Sequence, residues 1–372
     1  MAAPTIALLI SSFSSGGVQR VMINLANELT RRGYSVELVA VSSDGPLKSK
    51  VSPQVSIRDL KSSRVLLSLG RIRAFFKADH PSVFISGQTH LNAISAIAHK
   101  LAGSPSHLIV VEHNHMSSVI KGEKKWVDRL RPLWARLFYP WANAILAVSE
   151  EVAADLSKVS GIKRGKIKVV YNPIIDPVVL QQKDLPIDHP WFNDPQTPVV
   201  IGVGRLSAQK GFAGLIHAMA EVNKTRAARL VILGEGEERG NLESLVRSLG
   251  MEQNVWLPGY VENPFAYIKR ANLFVLSSLW EGLPSVLVEA MACGTSALST
   301  DCPAGPREIL EGGHLGKLIP VSDLAAMTEG ILFCLANPQD PNALIKRADR
   351  FLTTTATQGY IDQFPALASI AV

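Results

Sequence analysis

Phe274-Val-Leu-Ser-Ser-Leu-Trp-Glu281-Gly-Leu-Pro-Ser-Val-Leu-Val-Glu289-Ala-Met-Ala-Cys-Gly294 places two carboxylates around a predicted turn from strand to helix. The apolar start fits a short buried strand, and Pro284 and Gly294 are placed to open and close the helix. Proline suits a first helical turn because its missing N–H has no intrahelical partner there, and glycine takes a left-handed C-cap without strain. Glu281 falls just ahead of that N-terminus, where free N–H groups make an anion site. Glu289 has Val286, Leu287, Val288, Ala290, Met291 and Ala292 for neighbours. A helix that is apolar almost all round is buried, so Glu289 is expected to face a cleft or a partner.

The 372 residues exceed one ordinary core, which predicts two domains, and the 47% apolar content fits a globular chain. No basic leader precedes the short apolar run at residues 5–10. No stretch approaches the roughly 20 apolar residues of a spanning helix. Cys293, Cys302 and Cys334 are odd in number and lack metal-ligand spacing, so a reducing, cytoplasmic setting is expected. Charge is divided unevenly. Residues 1–180 hold 23 Lys and Arg against 12 Asp and Glu, whereas the remainder holds 15 against 20. A basic front half suits nucleic acid, anionic lipid or a phosphorylated acceptor.

From the N-terminus, Thr5–Ile10 reads as a buried parallel strand, followed by a turn with Gly16 and Gly17, a helix over Val18–Arg32 and a strand at Ser35–Val41. Strand, Gly-rich turn, helix, strand opens a doubly wound sheet, and the two glycines allow a ligand close to the backbone. A helix over residues 60–80 is predicted, carrying Arg64, Arg71, Arg73 and Lys77 among Leu66, Leu67, Leu69, Phe75 and Phe76. Strands at Val83–Ser86 and Leu108–Asn114 run into polar loops, the second through His113. Residues 117–141 interleave Lys121, Lys124, Lys125, Arg129, Arg131 and Arg136 with Trp126, Leu130, Trp134, Leu137, Phe138, Tyr139 and Trp141. That pattern suits an interfacial helix on an anionic membrane surface, or aromatics packed on the domain core. Nucleic acid is not expected as a partner, because no binding module accompanies the charge.

Residues 174–198 turn Pro- and Asp-rich and read as a linker. The pattern then restarts with Val199–Gly204, Arg205 and, five residues on, Lys210-Gly211. Gly202-Val-Gly204 lacks the third glycine and the acidic residue of a dinucleotide fingerprint. Two cations on one loop at a strand's C-terminal end suit a diphosphate instead. Glu281 and Glu289 are expected on the same edge of the same sheet. The fold class is α/β, with two doubly wound Rossmann-like domains facing across a cleft.

Gly204-Arg-Leu-Ser-Ala-Gln-Lys-Gly211, the Glu281-x7-Glu289 segment with its Gly-Leu-Pro core, and Cys302-Pro-Ala-Gly-Pro-Arg-Glu-Ile resemble the retaining glycosyltransferases of family 4, whose fold is GT-B. Ser15-Gly-Gly-Val-Gln-Arg and Ala147-Val-Ser-Glu add to the likeness, which covers nearly the whole chain. The resemblance implies an acceptor-binding domain at 1–176, a nucleotide-sugar domain at 190–350 and a terminal segment, 351–372, that crosses back to the first. It assigns Arg205 and Lys210 to the donor diphosphate and leaving group, and Glu281 to the sugar hydroxyls with the N–H groups of Gly282, Leu283, Pro284 (which has none of its own) and Ser285 around it. Glu289 is assigned to the ribose, His113 to the donor sugar, Gly16, Gly17 and Gly204 to close backbone approach, and Tyr260 and Val261 to the base. His115, two residues beyond His113, competes with it for that role. The implied reaction transfers a hexosyl or N-acetylhexosaminyl group from a nucleotide-diphosphate sugar, UDP favoured over GDP, to a saccharide or polyprenyl-linked acceptor. No cofactor is implied beyond that co-substrate. The sequence holds no Asp-x-Asp motif, which fits a metal-independent reaction. The placement implied is peripheral, on the inner face of the cytoplasmic membrane. A non-catalytic nucleotide-sugar-binding module and a nucleotide-sugar epimerase are the rival readings.

Overall fold

The computed structural model describes residues 5–14, 16–62, 67–122 and 129–364, and the chain divides into two compact units, residues 1–176 with 351–372 and residues 177–350. Arg64, Leu66, Lys124, Lys125 and Trp126 lie outside the described residues.

The first unit runs β1 (Thr5–Ile10), α1 (Gly17–Arg31), β2 (Ser35–Ala40), β3 (Ser56–Asp59), α2 (Ser68–Ala78), β4 (Val83–Ser86), α3 (Thr89–Ala102), β5 (His107–Glu112), α4 (Met116–Gly122), α5 (Arg131–Phe138), β6 (Ala144–Ala147), α6 (Glu150–Ser160) and β7 (Ile167–Val169). Its seven strands are all parallel, in the order β3-β2-β1-β4-β5-β6-β7. Ile6 to Ile10 are fully buried, as expected of a parallel strand covered on both faces. Helix α1 turns Val21, Met22, Leu25, Ala26 and Leu29 inward. The helix expected over residues 60–80 is shorter at its start. Leu60 and Ser62 donate their N–H groups to Ala40 O and Val41 O, so the chain is still bound beside β2 where the helix was expected.

The second unit runs α7 (Pro177–Leu180), β8 (Val199–Val203), α8 (Phe212–Asn223), β9 (Arg229–Leu233), α9 (Arg239–Ser248), β10 (Val255–Gly259), α10 (Pro264–Arg270), β11 (Leu273–Leu276), α11 (Ser285–Ala292), β12 (Ala297–Thr300), α12 (Pro306–Ile309), β13 (Lys317–Ile319), α13 (Leu324–Ala336) and α14 (Pro341–Ala348). Its six strands, again parallel, lie in the order β10-β9-β8-β11-β12-β13. The core on one side joins Leu215, Ile216 and Met219 of α8 to Val200, Leu230, Ile232 and Val275 of the sheet and Met327 and Ile331 of α13.

Two segments are placed by their contacts. From residue 177 on, the Pro- and Asp-rich stretch is packed on the second unit. His189 stacks on Trp256 at 3.9 Å, Phe192 meets Tyr267 at 5.6 Å, and Gln182 O accepts from Asn263 Nδ2 at 2.8 Å. The chain end, in turn, belongs to the first unit. Ile174 and Ile175 donate to Phe351 O, Thr353 donates to Ile175 O, and α15 (Thr353–Ile361) buries Ala356, Tyr360 and Ile361, while its Gln358 accepts from Arg32, the C-cap of α1, at 2.8 Å.

In each sheet the strand order reverses once, between β1 and β4 and between β8 and β11. Open α/β sheets bind ligands at such points, beyond the C-terminal ends of the strands.

Candidate active site

In the second unit the reversal brings the loop after β8 against the loop after β11. Leu279 N–H donates to Gln209 O, Gln209 Nε2 to Trp280 O, and Ser277 Oγ to Lys210 O, so the two loops are joined along their length. Gly211 is required here: its φ is +64°, and a Cβ would sit 2.2 Å from Ser277 O. This close approach aims Lys210 across the crevice. Its Nζ lies 2.6 Å from Glu281 Oε1, which also accepts from Ser278 Oγ at 2.6 Å. Glu281 is buried and its N–H donates to Pro303 O, which ties it to the Cys302–Gly305 loop. That loop presses on the Gly-Leu-Pro segment, for a Cβ at Gly305 would be 2.4 Å from Pro284 Cδ.

Pro284 differs from expectation by one position. It has extended backbone and serves as the N-cap, and helix α11 starts at Ser285. Pro284 O takes the N–H groups of Leu287 and Val288, leaving those of Ser285 and Val286 as the donors of the open first turn. Gly282 and Ser285 are half-buried, and Leu283 and Pro284 are buried. Glu289 is 1% exposed, one turn beyond Ser285 on the same face. Helical side chains lean toward the N-terminus, so its carboxylate leans toward that open turn. Arg205 is exposed on the same edge and pairs with no carboxylate among the described residues. Gly204 donates its N–H to Leu233 O, and Gly259 O accepts from Gly234 N–H, aligning the ends of β8, β9 and β10. Tyr260 and Val261 follow on that edge, Tyr260 59% exposed. Cys302 lies buried nearby; burial, reinforced by the Glu281 charge, pushes its thiol up to about 12, which keeps it protonated.

In the first unit Gly16 is the N-cap of α1 and Gly17 its first residue. Gln19 Nε2 donates to Ser14 Oγ at 3.2 Å, and Ser11 N–H donates to Gln88 Oε1 at 2.9 Å, so this loop is joined to the start of α3. His113 follows β5 on the same edge. Its ring is buried, Nε2 has no hydrogen-bond partner, and desolvation lowers its pKa to about 3, so the imidazole is neutral. His115 is separated from it by its contacts. His115 Nδ1 meets Ser118 Oγ at 2.8 Å and Nε2 is 3.6 Å from Asp155, which seats it at the start of α4.

Sequence reasoning passed over Ser278, Gly87 and Glu112. A Cβ at Gly87 would stand 3.2 Å from His113 Nε2 and 2.9 Å from Met22 Sδ, so the ring rests on bare backbone. Glu112 is 0% exposed, and its partners Thr89 and Tyr139 are 23 and 27 positions away, beyond any local motif. Among the described residues, no group of three or more His, Cys, Asp or Glu side chains is disposed to hold a metal ion.

A family profile described as Glycosyltransferase Family 4 matches residues 15–176, and one described as Glycosyl transferases group 1 matches residues 187–351. An uncharacterized glycosyltransferase of Methanocaldococcus jannaschii is 33% identical over 213 residues, covering 57% of this chain and 52% of that protein. The N-acetylgalactosamine-N,N'-diacetylbacillosaminyl-diphospho-undecaprenol 4-alpha-N-acetylgalactosaminyltransferase of Campylobacter jejuni is 27% identical over 337 residues, 88% of either chain. In fold, Anabaena HepE in complex with UDP-glucose matches with a TM-score of 0.80 at 20% identity, over 98% of this chain and 100% of that one.

Proposed function

This chain belongs to the family 4 glycosyltransferases, with the GT-B fold, and we propose that it moves a hexosyl or N-acetylhexosaminyl group, with retention, from a UDP-sugar to a polyprenyl-linked saccharide. The observation that carries the reading is the Lys210–Glu281 contact of 2.6 Å at the reversal point of the second sheet, beside the open turn of α11. Lys210 is matched by Glu281, and a donor diphosphate brought to the loop competes for its ammonium. Glu281 Oε1, still held by Ser278, then becomes an acceptor for a sugar hydroxyl. Glu289 takes the ribose hydroxyls, and Arg205 adds a second cation at the diphosphate.

Breaking the bond from the anomeric carbon to the phosphate oxygen puts negative charge on the departing phosphate and positive charge on the sugar. Lys210, Arg205 and the N–H groups of Ser285 and Val286 answer the first charge, and preorganised electrostatics of this kind is usually the largest catalytic contribution. His113, neutral at working pH, offers hydrogen bonding to the donor sugar without repelling its cationic transition state. The acceptor hydroxyl attacks from the face the phosphate leaves, and its proton passes to a departing phosphate oxygen. No protein base and no metal ion is needed for that step.

The acceptor class is supported by the diphospho-undecaprenol in the name of the Campylobacter relative. It is also supported by the α5 segment, where Leu133, Leu137 and Trp141 are exposed together with Arg129 and Arg136. Such a surface fits peripheral attachment to an anionic cytoplasmic membrane face. No helix among the described residues is long and apolar enough to cross a membrane.

A thermal-shift screen of nucleotide sugars identifies the donor, and the stabilising compound, radiolabelled, is then incubated with the protein and a lipid extract. Label in the lipid fraction, with the donor's anomeric configuration, supports the proposal. An altered free sugar would make the protein an epimerase, and stabilisation without turnover would make it a binding module.

A further inference from the structure

We propose that Glu112, with Thr89 and Tyr139, is a positioning unit for His113, setting the turn that carries the imidazole and tying it to the α5 segment. Glu112 ends β5 and is 0% exposed, and none of its hydrogen-bond partners is a cation, although the Arg131 charge acts on Tyr139 beside it. Its Oε1 accepts from Thr89 Oγ1 at 2.8 Å and from Asn114 N–H at 3.1 Å, and its Oε2 accepts from Tyr139 OH at 2.9 Å. The hydroxyls are themselves aimed. Asn114 Nδ2 donates to Thr89 Oγ1 at 3.4 Å, and Asn92 Nδ2 donates to Tyr139 OH at 3.2 Å and to Val111 O at 2.9 Å. Each hydroxyl thus accepts on one side and turns its proton to the carboxylate, with Thr89 O a longer second acceptor for Tyr139 OH at 3.5 Å.

A carboxyl group buried this completely, its pKa raised by desolvation, is a poor device for stability, since apolar side chains of similar volume commonly do better. A fully joined polar network instead specifies one local geometry. Here that geometry belongs to His113. The Asn114 N–H to Glu112 side-chain bond closes a small ring, and His113 is the one residue between the two it joins. The backbone of His113 is therefore set by the Glu112 carboxylate, much as an Asx-turn sets its central residue. Nothing at Nε2 competes with this control, because that atom has no hydrogen-bond partner and rests on Gly87. Tyr139, 1% exposed, extends the hold to the segment that presents Leu133, Leu137 and Trp141 outward.

The functional weight of the unit rests on His113 contacting the donor sugar, but its test does not. In the full-length protein with labelled histidine rings, the His113 signals are assigned by their loss in His113→Gln. Wild type is expected to give one set of ring signals, of one tautomer, unchanged between about pH 8 and about pH 5 because the ring titrates near 3. Tyr139→Phe and Thr89→Val each remove a hydroxyl while keeping its shape, and each is expected to move about a tenth or more of the intensity into a second set. Thr89→Ser retains the hydroxyl and is expected to restore the wild-type spectrum. Superimposable His113 signals in folded Tyr139→Phe and Thr89→Val overturn the proposal. If one variant does not fold the other decides, and if neither folds the unit is a stability element and the proposal fails. Undiminished sugar transfer by His113→Gln would instead remove His113 from the donor site and leave the spectral result standing.

Discussion

Lys210→Ala, Glu281→Gln and their combination separate the stability of the site from its chemistry. Lys210 and Glu281 side chains are 17% and 8% exposed, so the contact is partly desolvated and stronger than a surface pair. Removing one member of a fully buried pair costs about 3–5 kcal/mol, because the other charge is left uncompensated. Lys210→Ala leaves Glu281 in place with Ser278 Oγ still donating to it at 2.6 Å, and water can enter where the lysine was. About 2 kcal/mol is the expected loss once that bond and partial hydration are allowed for. In a unit of this size about 2 kcal/mol lowers the melting temperature by about 4–8 °C. Glu281→Gln strands only the better-exposed Lys210 and is expected to cost about 1 kcal/mol or less. The double variant leaves no stranded charge, so it should regain most of the loss, with a coupling energy of about 2 kcal/mol. Activity should behave in the opposite sense. Each single variant is expected to lose about 10²–10³ in turnover, the scale for deleting one electrostatic donor, and the double variant should recover none of it. Urea denaturation gives the first quantity and transfer from the donor found by thermal shift gives the second. Lys210→Ala as stable as wild type, or a double variant that regains activity, would refute the reasoning.

Glycine substitutions should divide by what their Cβ meets. Gly211→Ala forces a Cβ toward Ser277 O at φ +64° and is expected to lower both melting temperature and turnover by displacing Lys210, whereas a Cβ at Gly17 meets nothing within 4 Å, so Gly17→Ala should keep its melting temperature and lose donor or acceptor affinity, read as a raised KM. The His113 ring has a folded pKa near 3, below its unfolded value, so the unfolded chain binds the extra proton and stability is lost as pH falls from about 6.5 toward 3. His113→Gln should therefore show a shallower acid limb in denaturation midpoints than wild type, by at most about 1.4 kcal/mol per pH unit, and an identical limb would remove His113 as its source. Arg129→Glu with Arg136→Glu, and separately Leu133→Ala with Trp141→Ala, should weaken sedimentation with vesicles containing anionic lipid while leaving donor binding intact; undiminished sedimentation of both pairs would dispose of the α5 membrane contact.

Much of the second unit was legible because its chemistry is local. Glu281 and Glu289 lie on one loop and helix, and the Arg205 to Lys210 loop is a single short segment, so strand and helix periods are enough to bring them to one sheet edge. Within that segment the misreading of Pro284 is small but physical. A proline at the first helical position and one at the N-cap leave the same sequence pattern, and only the backbone, extended at Pro284, separates them. Strands β3 and β13 were missed because four and three residues, partly exposed, carry too little alternation to register. The linker shows what composition leaves out. Proline and aspartate broke the periodicity, yet His189 and Phe192 bind it to Trp256 and Tyr267 from strand β10 and helix α10, contacts that no local pattern displays.

The first unit shows why a candidate site can be half visible. His113 was singled out by the family resemblance and its place after a strand, yet what surrounds it and its turn lies elsewhere: the bare backbone at Gly87, the hydroxyl of Thr89 and that of Tyr139. Each is unremarkable in its own segment. Gly87 reads as a turn residue, Thr89 as a helix start, and Tyr139 as one more aromatic in a basic stretch with two explanations. Burial decides between those explanations residue by residue: Tyr139 packs inward onto Glu112, whereas Leu133, Leu137 and Trp141 on and beside the same helix remain exposed. The basic–aromatic pattern is therefore not one signal but two superposed, an anchor into the core and a surface facing out.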